Sequence, residues 1–311
     1  MSASVPVLAV IGPTAAGKSD LAVELALRIG GEIVNADSMQ LYRGMDIGTA
    51  KLSVGEQRGV PHHLLDVLDV TEPATVAQFQ QLARDAIADC QARGVVPVLV
   101  GGSALYVRAV LDRFEFPGTD PELRGRLEAE LAEDGEAALH ARLIAQDPVT
   151  ASIIPASNGR RVVRALEVIE LTGRPYSSEL PPREYAYDTV TQIGLNVPRE
   201  ALYERIELRV DRMWEQGLVD EVRALEQVGL RRGRTASRAL GYAQLLAYFA
   251  GECTEDEARA ATVRATRRFA RRQHGWFDKD ERIAWLPYDA DDLAERALAY
   301  HAASDRLPET Q

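Results

Sequence analysis

Gly12-Pro13-Thr14-Ala15-Ala16-Gly17-Lys18-Ser19 has the spacing G-x-x-x-x-G-K-[ST]. In such a loop the glycines let backbone N–H groups face an anion and the following helix start adds positive potential. Lys18 contributes a full charge, and the Ser19 hydroxyl is a ligand for Mg2+. The chemistry is that of gripping a di- or triphosphate. A second compact set follows at Asp37-Ser38-Met39-Gln40-Leu41-Tyr42, with a carboxylate, an amide and an aromatic ring close together. Beside a bound diphosphate, Asp37 can take a proton from an incoming nucleophile. A carboxylate followed by serine also caps turns, and position alone leaves both readings open.

An NTPase normally needs an apolar strand ending in an acidic residue to organise metal and water. Residues 95–100 end in Gly101-Gly102-Ser103, and Leu64-Leu65-Asp66-Val67 is short and follows His62 and His63, which read as structural histidines. The residues therefore point to a small-molecule kinase or to a transferase with diphosphate as leaving group.

The elements that must position these groups are legible in outline. Residues 5–11 form a buried strand, 12–17 a loop, 19–29 a helix ending at Gly30 and Gly31, and 32–35 a second strand, which together make a βαβ unit with parallel strands. Residues 78–92 read as a helix leading into another continuous apolar strand at 95–100. From about Phe116 the pattern turns purely helical, at 121–132, 136–146 and 158–171, and closes on Gly173, Pro175, Pro181 and Pro182. A last strand at 189–197 then returns to the core, followed by helices at 199–216, 218–227, 239–250 and 254–277, with a peripheral or frayed helix after Pro287. The expected class is α/β, a P-loop parallel-sheet core (1–115 and 187–311) with an all-helical insert domain (116–186).

At 311 residues, with 46% hydrophobic and 27% charged residues, the chain can bury a full core. The apolar run at 5–11 is far too short to span a membrane and no cationic leader precedes it, so a cytoplasmic protein is expected. Cys90 and Cys253 lack CxxC spacing, which predicts two buried thiols and neither disulfide nor zinc site. A net charge of −11 argues against RNA globally, yet arginines cluster locally. Arg264, Arg267, Arg268, Arg271 and Arg272 form one helical stripe, and no acidic residue lies between 258 and 277 to pair with them. A smaller group is Arg160, Arg161 and Arg164. Such stripes are solvated faces or phosphate-tracking surfaces.

Seven segments then appear in order: GPTAAGKS, NADSMQLYRGMDIGTAK (35–51), PHHLLD (61–66), VLVGGSALY (98–106), RRVVRALEV (160–168), SRALGYAQ (237–244) and TRRFARRQHGWF (266–277). Together they closely resemble the bacterial tRNA dimethylallyltransferase family over nearly the whole chain. The resemblance implies that the P-loop holds dimethylallyl diphosphate, with Mg2+ on Ser19, and that the acceptor is N6 of the adenine 3′ to the anticodon. It implies Asp37 as the general base and Ser38, Met39 and Gln40 on the flipped-out adenine. Ser103 stands where the family commonly has threonine, and Arg238 with Lys18 supports the leaving diphosphate. The tRNA anticodon stem-loop would lie on the arginine stripe and on Arg160, Arg161, Val162, Val163 and Arg164, with the protein a monomer. Rival classes are a P-loop kinase, a non-catalytic RNA-binding protein and an adenylate isopentenyltransferase acting on a free nucleotide.

Overall fold

The computed structural model describes residues 5–176 and 183–304. Pro181 and Pro182, read above as part of a turn-rich connection, lie outside them. The apolar run becomes β1 (Val7–Ile11), every residue of which is buried. Val7, Ala9 and Ile11 join one apolar cluster while Leu8 and Val10 join another, so the sheet is covered on both faces. In chain order there follow α1 (Lys18–Ile29), β2 (Glu32–Asn35), β3 (His62–His63), α2 (Val76–Ala92), β4 (Pro97–Gly101) and α3 (Ala104–Leu111). After a helical excursion come β5 (Val190–Asn196), α7 (Arg199–Glu215), α8 (Leu218–Gln227), α9 (Tyr242–Phe249), α10 (Glu255–Phe277), β6 (Ile283–Pro287) and α11 (Leu293–Ser304).

The strands lie in the order β3-β2-β4-β1-β5-β6, and every neighbouring pair is parallel. β1 sits between β4 and β5, and β2 lies beyond β4, so the loop leaving β1 opens into the crevice at the carboxyl ends of the strands, where ligands of open α/β sheets bind. α2, α3, α8 and α9 cover one face through Phe79, Ile87, Val110, Val222 and Tyr242. α1 and α11 cover the other through Leu25 and Ala297.

One expectation is corrected here. The strand at 189–197 is not the last, because β6 pairs with β5 at the edge of the sheet. Its run is short and ends in Pro287, which an edge position tolerates and which weakens the strand signal in the sequence. The segment Ala104–Leu111, to which the sequence pattern assigned no element, is a helix launched directly from the Gly101-Gly102-Ser103 turn.

The chain divides into two compact units, Met1–Asp112 with Tyr185–Gln311, and Arg113–Glu184. The second contains α4 (Pro121–Gln146), α5 (Pro148–Ile153) and α6 (Gly159–Thr172). α4 breaks at Gly135, whose φ of 84° is not helical, at the gap between the two helices expected there. Its core gathers Leu127, Leu139, Leu143, Ile154 and Leu166. Val162 and Val163 belong to that core, at 0% and 3% exposure, so their side chains cannot be the RNA contacts that the resemblance implied. Arg164 is corrected too. Its guanidinium donates to Glu167 at 2.8 Å and to the carbonyls of Gly118 (3.1 Å) and Pro117 (2.7 Å). Arg160 and Arg161 remain exposed.

Candidate active site

The loop from Gly12 to Ser19 is drawn tight by backbone conformations that favour glycine, with φ of 137° at Gly12 and 98° at Gly17. Ala15 also takes a positive φ, 65°, a strained choice for a residue with a Cβ. The arginine side chains of α7 hold it there. Arg205 Nε donates to the Ala15 carbonyl at 2.7 Å, and Arg209 reaches the Thr14 hydroxyl at 3.4 Å. Lys18 Nζ donates to the Pro13 carbonyl at 2.7 Å. Burial pushes the Lys18 ammonium down to about 8; the Arg209 guanidinium lowers it further and the Asp37 carboxylate opposes both. Burial likewise lowers Arg209, helped by Arg205. Cations gathered around an unpaired recess are electrostatically unfavourable until an anion enters.

Asp37 caps its turn without being enclosed by it. One oxygen, Oδ1, accepts from the Met39 N–H at 2.9 Å, which caps the turn, and the carboxylate still lines two adjoining cavities. Asn35 fixes the backbone beneath it, accepting from Asp37 N–H at 2.9 Å and donating to the Leu64 carbonyl at 3.0 Å. The first cavity, the phosphate recess expected at the P-loop, is walled by Thr14, Lys18, Ser19 and Arg209. The second, about 320 Å³, also touches Thr14, Asp37 and Arg209 and continues past Ser38, Met39 and Ser103 to Arg238 and Arg272. Gln40 departs from expectation: it lines the phosphate recess rather than the larger cavity, and its Nε2 donates to the carbonyls of Thr49 (3.1 Å) and Ala50 (3.4 Å). The loop that it braces is held from the other side by Glu221, which accepts N–H bonds from Asp46, Ile47 and Gly48 and the Tyr242 hydroxyl at 2.5 Å. The carboxylate considered for an NTPase, Asp66, is engaged by Lys51 at 2.6 Å.

The family model described as IPP transferase matches residues 40–280. The chain belongs to the IPP transferase family. It is 66% identical over 298 residues to a tRNA dimethylallyltransferase of Thermobifida fusca, covering 94% of this chain and 93% of that one. A Streptomyces avermitilis protein of the same name is 67% identical over 289 residues, covering 93% and 92%. Among solved structures, a tRNA isopentenylpyrophosphate transferase from Bacillus halodurans superposes with a TM-score of 0.70 at 41% identity, over 96% and 95% of the two chains. A eukaryotic dimethylallyltransferase captured acting on tRNA gives a TM-score of 0.85 at 25% identity, over 99% of this chain and 82% of that one.

Within this IPP transferase scaffold α10 presents Arg264, Arg268, Arg271 and Arg272 to solvent. Arg267 is corrected: it pairs with Glu207 of α7 at 2.7 Å and lies 4.9 Å from the Tyr203 ring centre, so the acid missing between residues 258 and 277 is supplied by another helix. Arg238 reaches the larger cavity but not the phosphate recess. Sequence reasoning missed Arg205 and Arg209, although their spacing with Arg212 at i, i+4 and i+7 was a readable signal.

Of the cysteines, Cys90 is buried as expected and Cys253 only partly. Cys90 lies with His63 and Glu32, their ligand atoms within 4.8 Å of one another, a grouping that spacing did not reveal. Both Glu32 oxygens are held by Arg93 at 2.7 Å, which brings the carboxyl down to about 2, and burial beside Glu32 pushes the thiol up to about 11. The cluster is an ion-pair lock joining β2, β3 and α2.

Proposed function

We propose that this chain transfers the dimethylallyl group of dimethylallyl diphosphate to N6 of the adenine 3′ to the anticodon of tRNA. The observation that carries the reading is the position of Asp37, whose carboxylate lines both the phosphate recess and the larger cavity. A base standing there meets the reacting carbon's leaving group on one side and an acceptor amine on the other. In the reaction the C1–O bond of the donor breaks and the diphosphate takes the electron pair. The adenine amine forms the new N6–C1 bond, and its proton passes to Asp37. An exocyclic amine is a weak nucleophile, whereas an allylic diphosphate ionises readily once its charge is neutralised. The larger share of catalysis therefore belongs to the loop N–H groups, Lys18 and Arg209, with Arg238 approaching from the acceptor side. Extruding the adenine costs a few kcal/mol, which stacking and hydrogen bonds in the larger cavity offset.

The donor set fits Mg2+. The Ser19 hydroxyl is a hard oxygen ligand in the recess, and Mg2+ would complete so sparse a protein set with phosphate oxygens and water, leaving the Asp37 carboxylate to act as base. Bound there, the ion would neutralise charge on the leaving diphosphate. A tRNA acceptor puts the protein's work in the cytoplasm, and among the described residues no helix is long and apolar enough to cross a membrane.

The test is to incubate the protein with labelled dimethylallyl diphosphate and Mg2+ while offering tRNA, AMP or ATP in turn. Label entering only tRNA supports the reading. Label entering AMP or ATP assigns the chain to free-nucleotide prenylation, and phosphoryl transfer from ATP without tRNA assigns it to the kinases.

A further inference from the structure

α10 has two faces with different duties. The exposed one carries the arginines, and the opposite one buries Thr262, Thr266, Ala270, Gln273 and Phe277. An amide on that inner face, at 6% exposure, is costly unless both of its ends are satisfied. In Gln273 they are. Oε1 accepts from the backbone N–H of Thr14 at 2.9 Å, and Nε2 donates to the carbonyl of Gly102 at 2.9 Å. Chemistry fixes the orientation of the amide, since a backbone N–H only donates and a carbonyl only accepts.

The two anchored points belong to the two sides of the reaction. Thr14 is in the phosphate loop, and its hydroxyl receives Arg209. Gly102 precedes Ser103, which lines the larger cavity at the start of α3. A Cβ on Gly102 would stand 2.4 Å from Gln273 Nε2 and 3.0 Å from the Gly12 carbonyl, so this glycine leaves the space through which the amide passes. One side chain thus pins the phosphate loop, the end of β4 and α10 to each other.

We propose that Gln273 is a positioning residue for the transfer reaction. By fixing Thr14 against Gly102 it sets the donor diphosphate at its working distance from Asp37 and from the acceptor wall at Ser103. This rests on the prenyl-transfer reading for the reaction itself, but the claim about the phosphate loop stands without it. Misplacing a reacting group by about 1 Å can cost on the order of 100-fold in rate.

The experiment compares wild type with Gln273→Ala and Gln273→Glu. Three quantities are read: kcat and donor KM for transfer to tRNA, the Kd of inorganic diphosphate by calorimetry, and the Kd of tRNA. For Gln273→Ala, kcat falls by about 100-fold and diphosphate binding weakens by about tenfold, by analogy with the loss of a supporting partner behind a ligand. The tRNA Kd stays close to wild type, because Arg264, Arg268 and Arg271 lie on the exposed face of the helix. Gln273→Glu keeps the size and the acceptor for Thr14, but when ionised it sets a carboxylate oxygen against the Gly102 carbonyl. Its activity relative to wild type therefore recovers as the pH is lowered and the carboxyl regains a proton to donate. That rescue is a signature that loss of stability alone does not give. Wild-type kcat and diphosphate affinity in Gln273→Ala would overturn the proposal. If Gln273→Ala does not fold, a Gln273→Glu protein whose activity ratio to wild type is flat with pH overturns it instead. Should wild type bind diphosphate but fail to prenylate tRNA, the proposed reaction falls, and the diphosphate Kd of the variants still decides whether Gln273 positions the loop.

Discussion

Asp37 and Lys18 illustrate how two residues acquire separate duties from their surroundings. Asp37 spends one oxygen on the Met39 N–H and faces two cavities, so the proposed role as base can be separated from its cap on the turn. Asp37→Asn keeps the shape and the turn. It is expected to lower the transfer rate by about 10² to 10⁴ while the affinities for donor and tRNA stay close to wild type. Transfer near the wild-type rate would remove Asp37 as the base. Lys18 carries a pH signature. Its ordinary value of 10.5 falls to about 8 through burial, with Arg209 adding to the shift and Asp37 resisting it. The charge needed for diphosphate is complete well below 8 and is lost as pH rises through 8. Donor kcat/KM, which reports the free enzyme, should thus decline on the alkaline side with an apparent pKa near 8. Lys18→Arg, charged throughout, should be slower but lack that limb; an unchanged limb assigns it to another group. Stability runs the opposite way. Folding disfavours charged Lys18, so the penalty is present below 8 and disappears as pH climbs towards 10.5.

At the scale of elements, α10 shows what periodicity reveals and what it hides. The arginine spacing was visible in the sequence and so was the helix, which the structure closes at its start with a capping box of Thr254 and Glu257. The neutralisation of Arg267 by Glu207 was not, because the partner sits on α7 and only tertiary packing joins them. Gln273 was hidden for the same reason, although an amide on a face of threonine, alanine and phenylalanine was a hint that could have been followed. β6 and α3 escaped because a short strand and a helix starting at a Gly-Gly-Ser turn give weak periodic signals. The P-loop, by contrast, was legible at once, since its chemistry depends on local sequence, whereas Asp37 stood out as a candidate whose position left cap and base both open. The stripe's own test must avoid Arg272, which lines the larger cavity. Replacing Arg264 and Arg268 by Gln should weaken tRNA binding and lower its salt dependence by about 0.7 to 0.9 in log-log slope for each arginine–phosphate pairing removed. Donor affinity should hold. Wild-type tRNA affinity and slope in this double variant would make the stripe a solvated face.

At the scale of the whole molecule, a net charge of −11 and an RNA substrate are compatible because fields between exposed charges decay within about 8 Å at physiological salt. Local surfaces decide, and many of the arginines are not surface at all in the functional sense. In the unit Arg113–Glu184, Arg124 and Arg164 converge on Glu167, whose side chain is fully buried. Glu167 also accepts the Asp120 N–H at 3.1 Å. Burial alone would raise this carboxyl, but Arg124 and Arg164 outweigh it and hold Glu167 below the usual carboxylate range. Removing the acid leaves two guanidinium groups facing each other and the first turn of α4 without its anchor. Breaking a buried pair costs about 3 to 5 kcal/mol, and the partial exposure of both arginines puts Glu167→Ala nearer about 2 to 4. Because this unit has an apolar core of its own, the loss should appear locally. Amide hydrogen exchange should accelerate in α4 and α6, while protection in β1 and β4 remains at the wild-type level. Equal acceleration in the sheet would mean that the two units unfold as one. Unchanged exchange in α4 and α6 would mean that the apolar core, and not the Glu167 network, holds the helical unit together.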